Sequence, residues 1–459
     1  MQNLTLAMLV VVTTFEFFAK GDYWGRWAYL PGGAQYLPEL FGLAAIIVVI
    51  LLGTRNRFQF IRPQYWIVFG ALVVNIICGI LVNEVDSGPI FAGIRTYLRA
   101  IPWFLVPAVF AFSNTQVTSQ LRTLLVVALL QVPLSIQQRM TTVAQGSETG
   151  DLTSGTLLIS SVMSIFLICG ICIVAALFIR KRIQAWQFLV LSVLLLLPTT
   201  INETKGTLLL LPVGLLFAFL TAAKPGRRVR AIALACGLLA AFGAVFVPVY
   251  DYFNAEREYS VPLSEMVSDP ARLEAYLWKK EDVGTTGQAG RVDSIVVPIR
   301  HLLADPAQAV FGYGIGNVSD SNLGHGFVGK RHKMFAPFLT TSFGRLVLEL
   351  GFFGFGLVIA LMWLIWEDCR IVARQGDDVV TVLAAAWVGV TVVIGLSLIY
   401  KDIVHQASLS YVFWYFSGLI AASRMRRLRN RAPTTSVVTS RPSQTMHAPA
   451  EIRSYRVRN

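Results

Sequence analysis

The chain has 459 residues, of which 55% are hydrophobic and only 14% are charged. Soluble domains carry about 25% charged residues, so the composition excludes an ordinary soluble protein and is typical of a polytopic membrane protein. The net charge of +13 would suggest nucleic-acid binding, but nine arginines against one glutamate from residue 424 onward account for +8 of it. A basic tail of this kind is better explained as a signal of membrane topology, so no nucleic-acid partner is expected.

Long apolar runs recur along the chain, and each predicts a transmembrane helix. The twelve predicted spans are residues 2–18, 37–53, 64–82, 90–112, 118–136, 153–179, 186–201, 206–223, 231–250, 338–366, 379–400 and 405–423. The first run has no basic segment before it and no small-residue cleavage site after it, so we expect a retained helix rather than a signal peptide. The predicted fold is all-α, a polytopic membrane protein of about twelve helices.

Lysine and arginine are concentrated in three short loops, at residues 54–63, 180–182 and 224–230, and in the tail. With twelve spans, all four basic segments fall on one side of the membrane when both termini are cytoplasmic. The predicted organisation is nine spans in residues 1–250, a large outer loop in 251–337, three spans in 338–423 and a disordered basic tail in 424–459.

The outer loop is long enough to need structure of its own. Asp269-Pro270 predicts the start of a helix that ends near Lys280. Apolar residues recur with helical spacing over residues 291–303. Asp305-Pro306 predicts another short helix, which the glycine-rich turn at residues 312–316 would end. We therefore expect a small helical cap on the outer face.

Candidate functional residues are ionisable side chains near the predicted outer ends of the spans, because charge is costly there. The residues selected are Arg95 and Arg99 in the fourth span, Glu203 and Lys205 between the seventh and eighth, and Arg291, His325 and His332 in the loop. The same criterion marks Arg300, His301, Lys330, Arg331, Lys333, Arg345, Glu349, Lys401, Asp402 and His405. Cations outnumber carboxylates in this set, which suits a polyanion such as a lipid-linked diphosphate.

Each candidate also has a structural interpretation. Arg345 and Glu349 are four residues apart and could neutralise each other on one helix. The basic run at residues 330–333 could be a solvated surface or a contact with lipid headgroups. Arg95 and Arg99 could extend to the membrane interface without binding a ligand.

Three short motifs carry a resemblance to a known family. They are Gly290-Arg291 before an amphipathic helix, Gly312-Tyr313-Gly314, and Glu349-Leu350-Gly351-Phe352-Phe353-Gly354 at the start of a span. Together they resemble the signature region of the O-antigen ligase and Wzy-type polymerase superfamily, over about residues 287–356. The resemblance implies a GT-C-like fold in a bacterial inner membrane. It also implies metal-independent, inverting glycan transfer without a cofactor. The implied partners are an undecaprenyl-diphosphate-linked oligosaccharide, an acceptor glycan, the lipid bilayer and other polysaccharide-assembly proteins.

The site residues follow from the resemblance position by position. The family's loop arginine matches Arg291, and Thr204-Lys205-Gly206 stands where the family has Ser/Thr-Arg-Gly. The histidine usual before the last motif is replaced by Thr340-Thr341-Ser342. We therefore expect the diphosphate to be bound by Arg291, Lys205, Arg95 and Arg99. The candidates for the catalytic base, in order, are His325, His332 and Glu203.

Two other classes of function fit parts of the sequence. A transporter or flippase of the same lipid-linked sugars would also need many spans and cations. However, the two halves show no similarity to each other, whereas transporters often contain internal repeats. A structural membrane protein would explain neither the cations nor the long loop. Within the transferase interpretation, a polymerase is expected ahead of a ligase.

Overall fold

The computed structural model is all-helical. No strand occurs in the ranges it describes, which are residues 1–21, 27–55, 59–144, 150–202, 204–254, 262–271, 274 and 289–431. In these ranges eight helices are long and apolar enough to cross a membrane: Gln2–Lys20, Gly32–Arg55, Pro63–Val82, Asn114–Ala144, Ser160–Ile179, Arg228–Tyr252, Ser342–Val372 and Val379–Tyr400. The chain is therefore a multi-pass membrane protein.

Each of the twelve predicted spans coincides with helical structure. The helices are α1 (Gln2–Lys20), α2 (Leu37–Arg55), α3 (Pro63–Val82), α4 (Ser87–Leu98), α5 (Ile101–Val109), α6 (Asn114–Ala144), α7 (Ser160–Ile179), α8 (Ala185–Ile201), α9 (Thr207–Ala222), α10 (Arg228–Asn254), α11 (Leu263–Ser268), α12 (Asp293–Leu303), α13 (Pro306–Phe311), α14 (His332–Phe335), α15 (Ser342–Val372), α16 (Val379–Tyr400) and α17 (Ala407–Arg431). Helices α8 and α9 are apolar but short, and α17 ends in an arginine-rich segment. The number of membrane crossings beyond eight stays a prediction.

The fourth predicted span is broken into α4 and α5. Pro102 lies in the first turn of α5, where it cannot donate the backbone hydrogen bond that would continue α4. Arg95 lies in the last turn of α4 and Arg99 directly follows the helix, so both arginines lie at a helix end rather than along an unbroken span.

The described part of the outer loop forms the expected cap. Helix α12 confirms the helix predicted over residues 291–303, and Asp305 caps α13 by accepting a hydrogen bond of 2.9 Å from Ala307 N. The helix predicted to run to Lys280 falls mostly outside the described residues. The cap packs on α15 through a cluster of buried side chains: Leu302, Tyr313, Val318, Phe335, Leu339, Val347 and Leu348.

The two glycine motifs interlock. Helix α15 is kinked at Gly351, where φ is 69°, and a Cβ at this position would lie 2.1 Å from Val310 O. Gly312 has φ of 70° and equally little space, because its Cβ would lie 2.5 Å from Gly351 N. Tyr313 N donates a 2.6 Å hydrogen bond to Leu348 O. Only glycine combines this backbone conformation with so close an approach, so the turn positions the cap on the kink.

The basic segments gather at one end of the bundle. Arg62 Nη1 lies 3.0 Å from Asp368 Oδ1, and Arg424 contacts the same carboxyl group. Arg180 Nη1 lies 2.8 Å from Asp377 Oδ1. We call this the basic end, and the opposite end, which carries the cap, the cap end. The shared location agrees with the charge bias, and the side of the membrane that each end faces stays a prediction.

Candidate functional site

A polar cavity of about 600 Å³ lies at the cap end, between the ends of α1, α2 and α4 and the connection from α16 to α17. Its ionisable lining residues are Glu16, Lys20, Arg95, Arg99, Asp151, Asp320, Arg345 and His405. Residues 320–322 of the cap also reach the cavity. The space therefore brings together groups from the membrane helices and from the outer loop.

His405 and Asp402 form a pair in the connection between α16 and α17. Asp402 Oδ2 accepts a hydrogen bond from Arg345 Nε at 2.9 Å and lies 2.8 Å from Arg345 Nη2, and Oδ1 accepts a hydrogen bond from Ser342 Oγ at 3.1 Å. His405 Nδ1 lies 3.4 Å from Asp402 Oδ2. This contact fixes the ring orientation and leaves Nε2 as the nitrogen that can meet a substrate. A histidine held by a carboxylate in this way can act as a general base.

Asp402 is kept ionised by its surroundings. Burial raises the pKa of its carboxyl group, but the charges of Arg345 and His405 outweigh burial and hold the pKa well below its usual range. The ionised carboxylate faces Nδ1 of His405 and Nε of Arg345.

Arg95 and Arg99 line the cavity but share one carboxylate. Glu39 Oε1 lies 2.8 Å from Arg95 Nη2 and 2.7 Å from Arg99 Nη1. Arg99 Nη2 also donates a 2.7 Å hydrogen bond to His405 O. Both arginines therefore have a carboxylate partner, which the sequence did not indicate. Two guanidinium groups paired with one carboxylate leave a net positive charge. The hydrogen bond from Arg99 holds the backbone carbonyl of His405 in place.

Tyr400, at the end of α16, contacts both the start of the cap and the turn before α9. The guanidinium carbon of Arg291 lies 5.3 Å from the centroid of the Tyr400 ring. On the other side, Gly206 N donates a 3.1 Å hydrogen bond to Tyr400 Oη, and a Cβ on Gly206 would come within 2.5 Å of the ring. The turn that contains Lys205 and the start of the cap therefore meet on one aromatic side chain. Binding of a diphosphate by Arg291 and Lys205 stays a prediction.

Lys401, which follows Tyr400 in the chain, interacts electrostatically with Arg291 and with carboxylates at the cavity. Burial and the charge of Arg291 lower the pKa of Lys401, whereas Asp151 and Asp402 act in the opposite direction. Asp151 lines the cavity, and Asp402 holds His405. Arg291 and Asp402 are therefore both electrostatic neighbours of Lys401 at the cap end.

The predicted bases do not lie in the cavity. His325 is exposed in a 3-10 turn, and Gly326 O of that turn packs against Gly88 at the start of α4. His332 is half-buried, with Nδ1 3.0 Å from Val318 O. Neither lines the cavity, and Glu203 lies outside the described residues. His405 is the cavity-lining histidine within the ranges described here.

Arg345 and Glu349 do not form the direct pair considered from their spacing. Both contact Ser319: Arg345 donates to Ser319 Oγ, which in turn donates a 2.6 Å hydrogen bond to Glu349 Oε1. The carboxylate partner of Arg345 is Asp402. This chain of contacts connects the cap to α15 and to the histidine pair.

No family model matches this chain. No curated protein sequence matches it either. Among the described residues, no group of three His, Cys, Asp or Glu side chains is placed to hold a metal ion.

Sequence reasoning missed three contributors to the site: Glu39, Tyr400 and the pairing of His405 with Asp402. The signal for the last was present, because Asp402 and His405 are three residues apart at the boundary of a span. Glu39 and Tyr400 gave no comparable signal, since their partners lie far away in the sequence.

Proposed function

We propose that this protein is a membrane glycosyltransferase that transfers glycan from a polyprenyl-diphosphate-linked donor to an acceptor sugar at the cap end. The observation that carries the proposal is the polar cavity lined by Arg99, Arg345 and His405, with Asp402 in contact with the histidine ring. The resemblance of the Arg291 and glycine motifs to the O-antigen ligase and Wzy-type superfamily supports the choice of donor. We place polymerisation ahead of ligation.

The proposed reaction is an inverting displacement at the anomeric carbon. The acceptor hydroxyl oxygen forms the new bond to this carbon, and the bond to the diphosphate oxygen breaks with its electron pair on the diphosphate. The hydroxyl proton passes to His405 Nε2, and Asp402 stabilises the imidazolium that forms. The configuration of the anomeric carbon is inverted because the hydroxyl oxygen attacks on the side opposite the leaving group.

Cations at the cap end would stabilise the departing diphosphate. Arg291 stacks on Tyr400, the turn that contains Lys205 contacts the same side chain through Gly206, and Lys401 follows Tyr400 directly in the chain. Positive groups fixed where negative charge develops lower the barrier, and removing one such group typically costs about 10²–10³ in rate. Arg95 and Arg99 would contribute the positive charge that Glu39 leaves uncompensated.

The proposal includes an orientation in the membrane. The basic end would face the cytoplasm and the cap end the periplasm of a bacterial inner membrane, because lysine and arginine favour the cytoplasmic side. Twelve spans in a GT-C-like arrangement, with both termini cytoplasmic, are part of the same proposal. Acceptor glycan and donor would then meet on the outer face.

Reconstitution tests the proposal. Full-length protein in lipid nanodiscs is supplied with an undecaprenyl-diphosphate-linked oligosaccharide, and products are separated by mass. A polymerase forms longer lipid-linked glycans and releases undecaprenyl diphosphate. A ligase releases undecaprenyl diphosphate only when a separate acceptor is added, and the glycan is then found on that acceptor. In vesicles, movement of the labelled donor across the bilayer without a new glycosidic bond would favour the transporter and contradict the transferase.

A further inference from the structure

Two adjoining cavities of about 700 and 660 Å³ open at the basic end, far from the proposed site. They lie between the ends of α7 and α9, the start of α10, the end of α15 and the start of α16. The charged lining of the larger cavity is Arg180, Lys224, Arg228, Arg370, Arg374 and Asp377. The smaller cavity shares Arg180, Lys224 and Asp377 and adds further basic residues of the loops.

The positive charge in this region is largely uncompensated. Asp377, the acidic side chain of the larger lining, is already engaged by Arg180 at 2.8 Å. Lys224, Arg228 and Arg374 form no ion pair within the part of the chain that the structure describes. Five basic side chains against one paired carboxylate leave a concave surface that favours an anion.

Two of the arginines are held in place at the cavity. Arg180 is nearly buried, with its side chain 10% exposed, and donates hydrogen bonds to Ala373 O at 2.6 Å and to Asp377 Oδ1 at 2.8 Å. The guanidinium carbon of Arg370 lies 4.4 Å from the centroid of the Trp366 ring, which holds this cation at the rim.

The inner wall of the same cavity is apolar. Phe217, Leu220 and Val388 line it together with Trp366. A soluble anion would gain little from such a wall, whereas an amphiphile would place its phosphate among the cations and its chains along the helices. We propose that this basic cavity binds the phosphate headgroup of an anionic phospholipid. The proposal uses none of the residues placed in the transferase site.

The test uses full-length protein, stripped of lipid in detergent and titrated with dioleoyl phosphatidylglycerol, with bound lipid counted by native mass spectrometry. The double variant Arg370→Gln/Arg374→Gln removes two cavity cations. The control Arg55→Gln/Arg122→Gln removes two exposed arginines from the same end that line neither cavity. Each cation near a phosphate contributes a modest attraction, so the cavity variant should bind about tenfold more weakly and the control within about twofold of wild type.

Other outcomes would overturn the proposal. Equal weakening in both double variants would mean diffuse surface charge rather than a site, and no weakening in either would remove the cavity from lipid binding.

Sodium pyrophosphate is titrated in parallel: if it displaces the lipid at equal concentration, the site belongs to a free phosphate compound. Melting temperatures of both variants are measured, and Lys224→Gln provides a second cavity variant on a different segment. Glycan transfer is assayed separately, so a failed transferase proposal leaves this result intact.

Discussion

The Nδ1 atom of His405 lies 3.4 Å from Asp402 Oδ2, and the same carboxylate oxygen accepts a 2.9 Å hydrogen bond from Arg345 Nε. Arg345 belongs to α15, whereas the other two residues lie in the connection that precedes α17. The arrangement therefore depends on how two helices meet at the cap end. It supplies a histidine in a polar cavity where the sequence motifs alone offered none.

Replacement of His405 is expected to stop glycan transfer. His405→Ala and His405→Gln should lower kcat by about 10²–10⁴, the usual contribution of a general base, with little change in KM for the donor. His325→Ala is the matched control, because His325 is exposed and outside the cavity. Transfer is measured with purified protein in nanodiscs at equal concentration. Loss in His325→Ala with retention in His405→Ala would return the base to the outer loop.

Arg291 is expected to require its guanidinium group and not charge alone. Arg291→Ala should abolish transfer, and Arg291→Lys should leave a small fraction, because lysine lacks the forked donors and the stacking on Tyr400. Arg300→Lys and Arg300→Ala are controls on the same helix, since Arg300 is exposed. Donor kinetics are compared at equal membrane abundance. Near-normal transfer by Arg291→Ala would remove this residue from the mechanism.

The contribution of Asp402 to the free energy of unfolding is expected to change with pH only under acidic conditions. Its folded pKa lies below the unfolded value, so its contribution is complete above about pH 4 and declines as the pH falls toward the folded pKa. Asp402→Asn, which leaves Arg345 buried without its charge partner, should cost about 3–5 kcal/mol.

Thermal unfolding in detergent measures this effect. The difference in Tm between wild type and Asp402→Asn should stay constant from pH 8 to about pH 5 and narrow below about pH 4. Asp86→Asn is the control, because Asp86 pairs with Lys330 at an exposed position, where ion pairs contribute little. A difference in Tm that widens in acid would contradict the assignment of Asp402 as the ionised partner.

The orientation is tested by reporter fusions. Fusions after Arg182, Arg230 and Arg429 should report the cytoplasm, and one near Gly287 should report the outside, because the basic segments favour the cytoplasmic face. A fusion that reports the opposite side at any of these positions would break the twelve-span arrangement.

The sequence predicted individual elements well where the signal is local. The short helix after Asp305 was predicted because an aspartate side chain at the start of a helix accepts a hydrogen bond from a backbone amide that has no partner within the helix. Asp305 accepts such a bond from Ala307 N. The family resemblance predicts that Arg291 and Lys205 bind one diphosphate, which stays a prediction. The position of Tyr400 between Arg291 and Gly206 was not predicted, because nothing near Tyr400 in the sequence indicates which groups approach its ring.

The pairing of charges could not be derived in the same way. Glu39 binds Arg95 and Arg99, which are 56 and 60 residues away. Charge complementarity allows many such pairs, and the choice among them depends on which helix ends are adjacent. The sequence placed the arginines at the outer end of a span but gave no means of assigning their carboxylate.

What the sequence determined by itself is the helical, membrane-embedded character of the chain, the location of the cap and the segregation of basic segments to one end. These follow from hydropathy, capping residues and charge along short stretches. The tertiary structure alone decided which helices are neighbours, and with them the cavity, the His405–Asp402 pair and the interlocked glycines at Gly312 and Gly351. The physical reason is that helices apolar on most faces contain little directional information. Their packing is selected by close backbone contacts and a few polar pairs between residues distant in the chain.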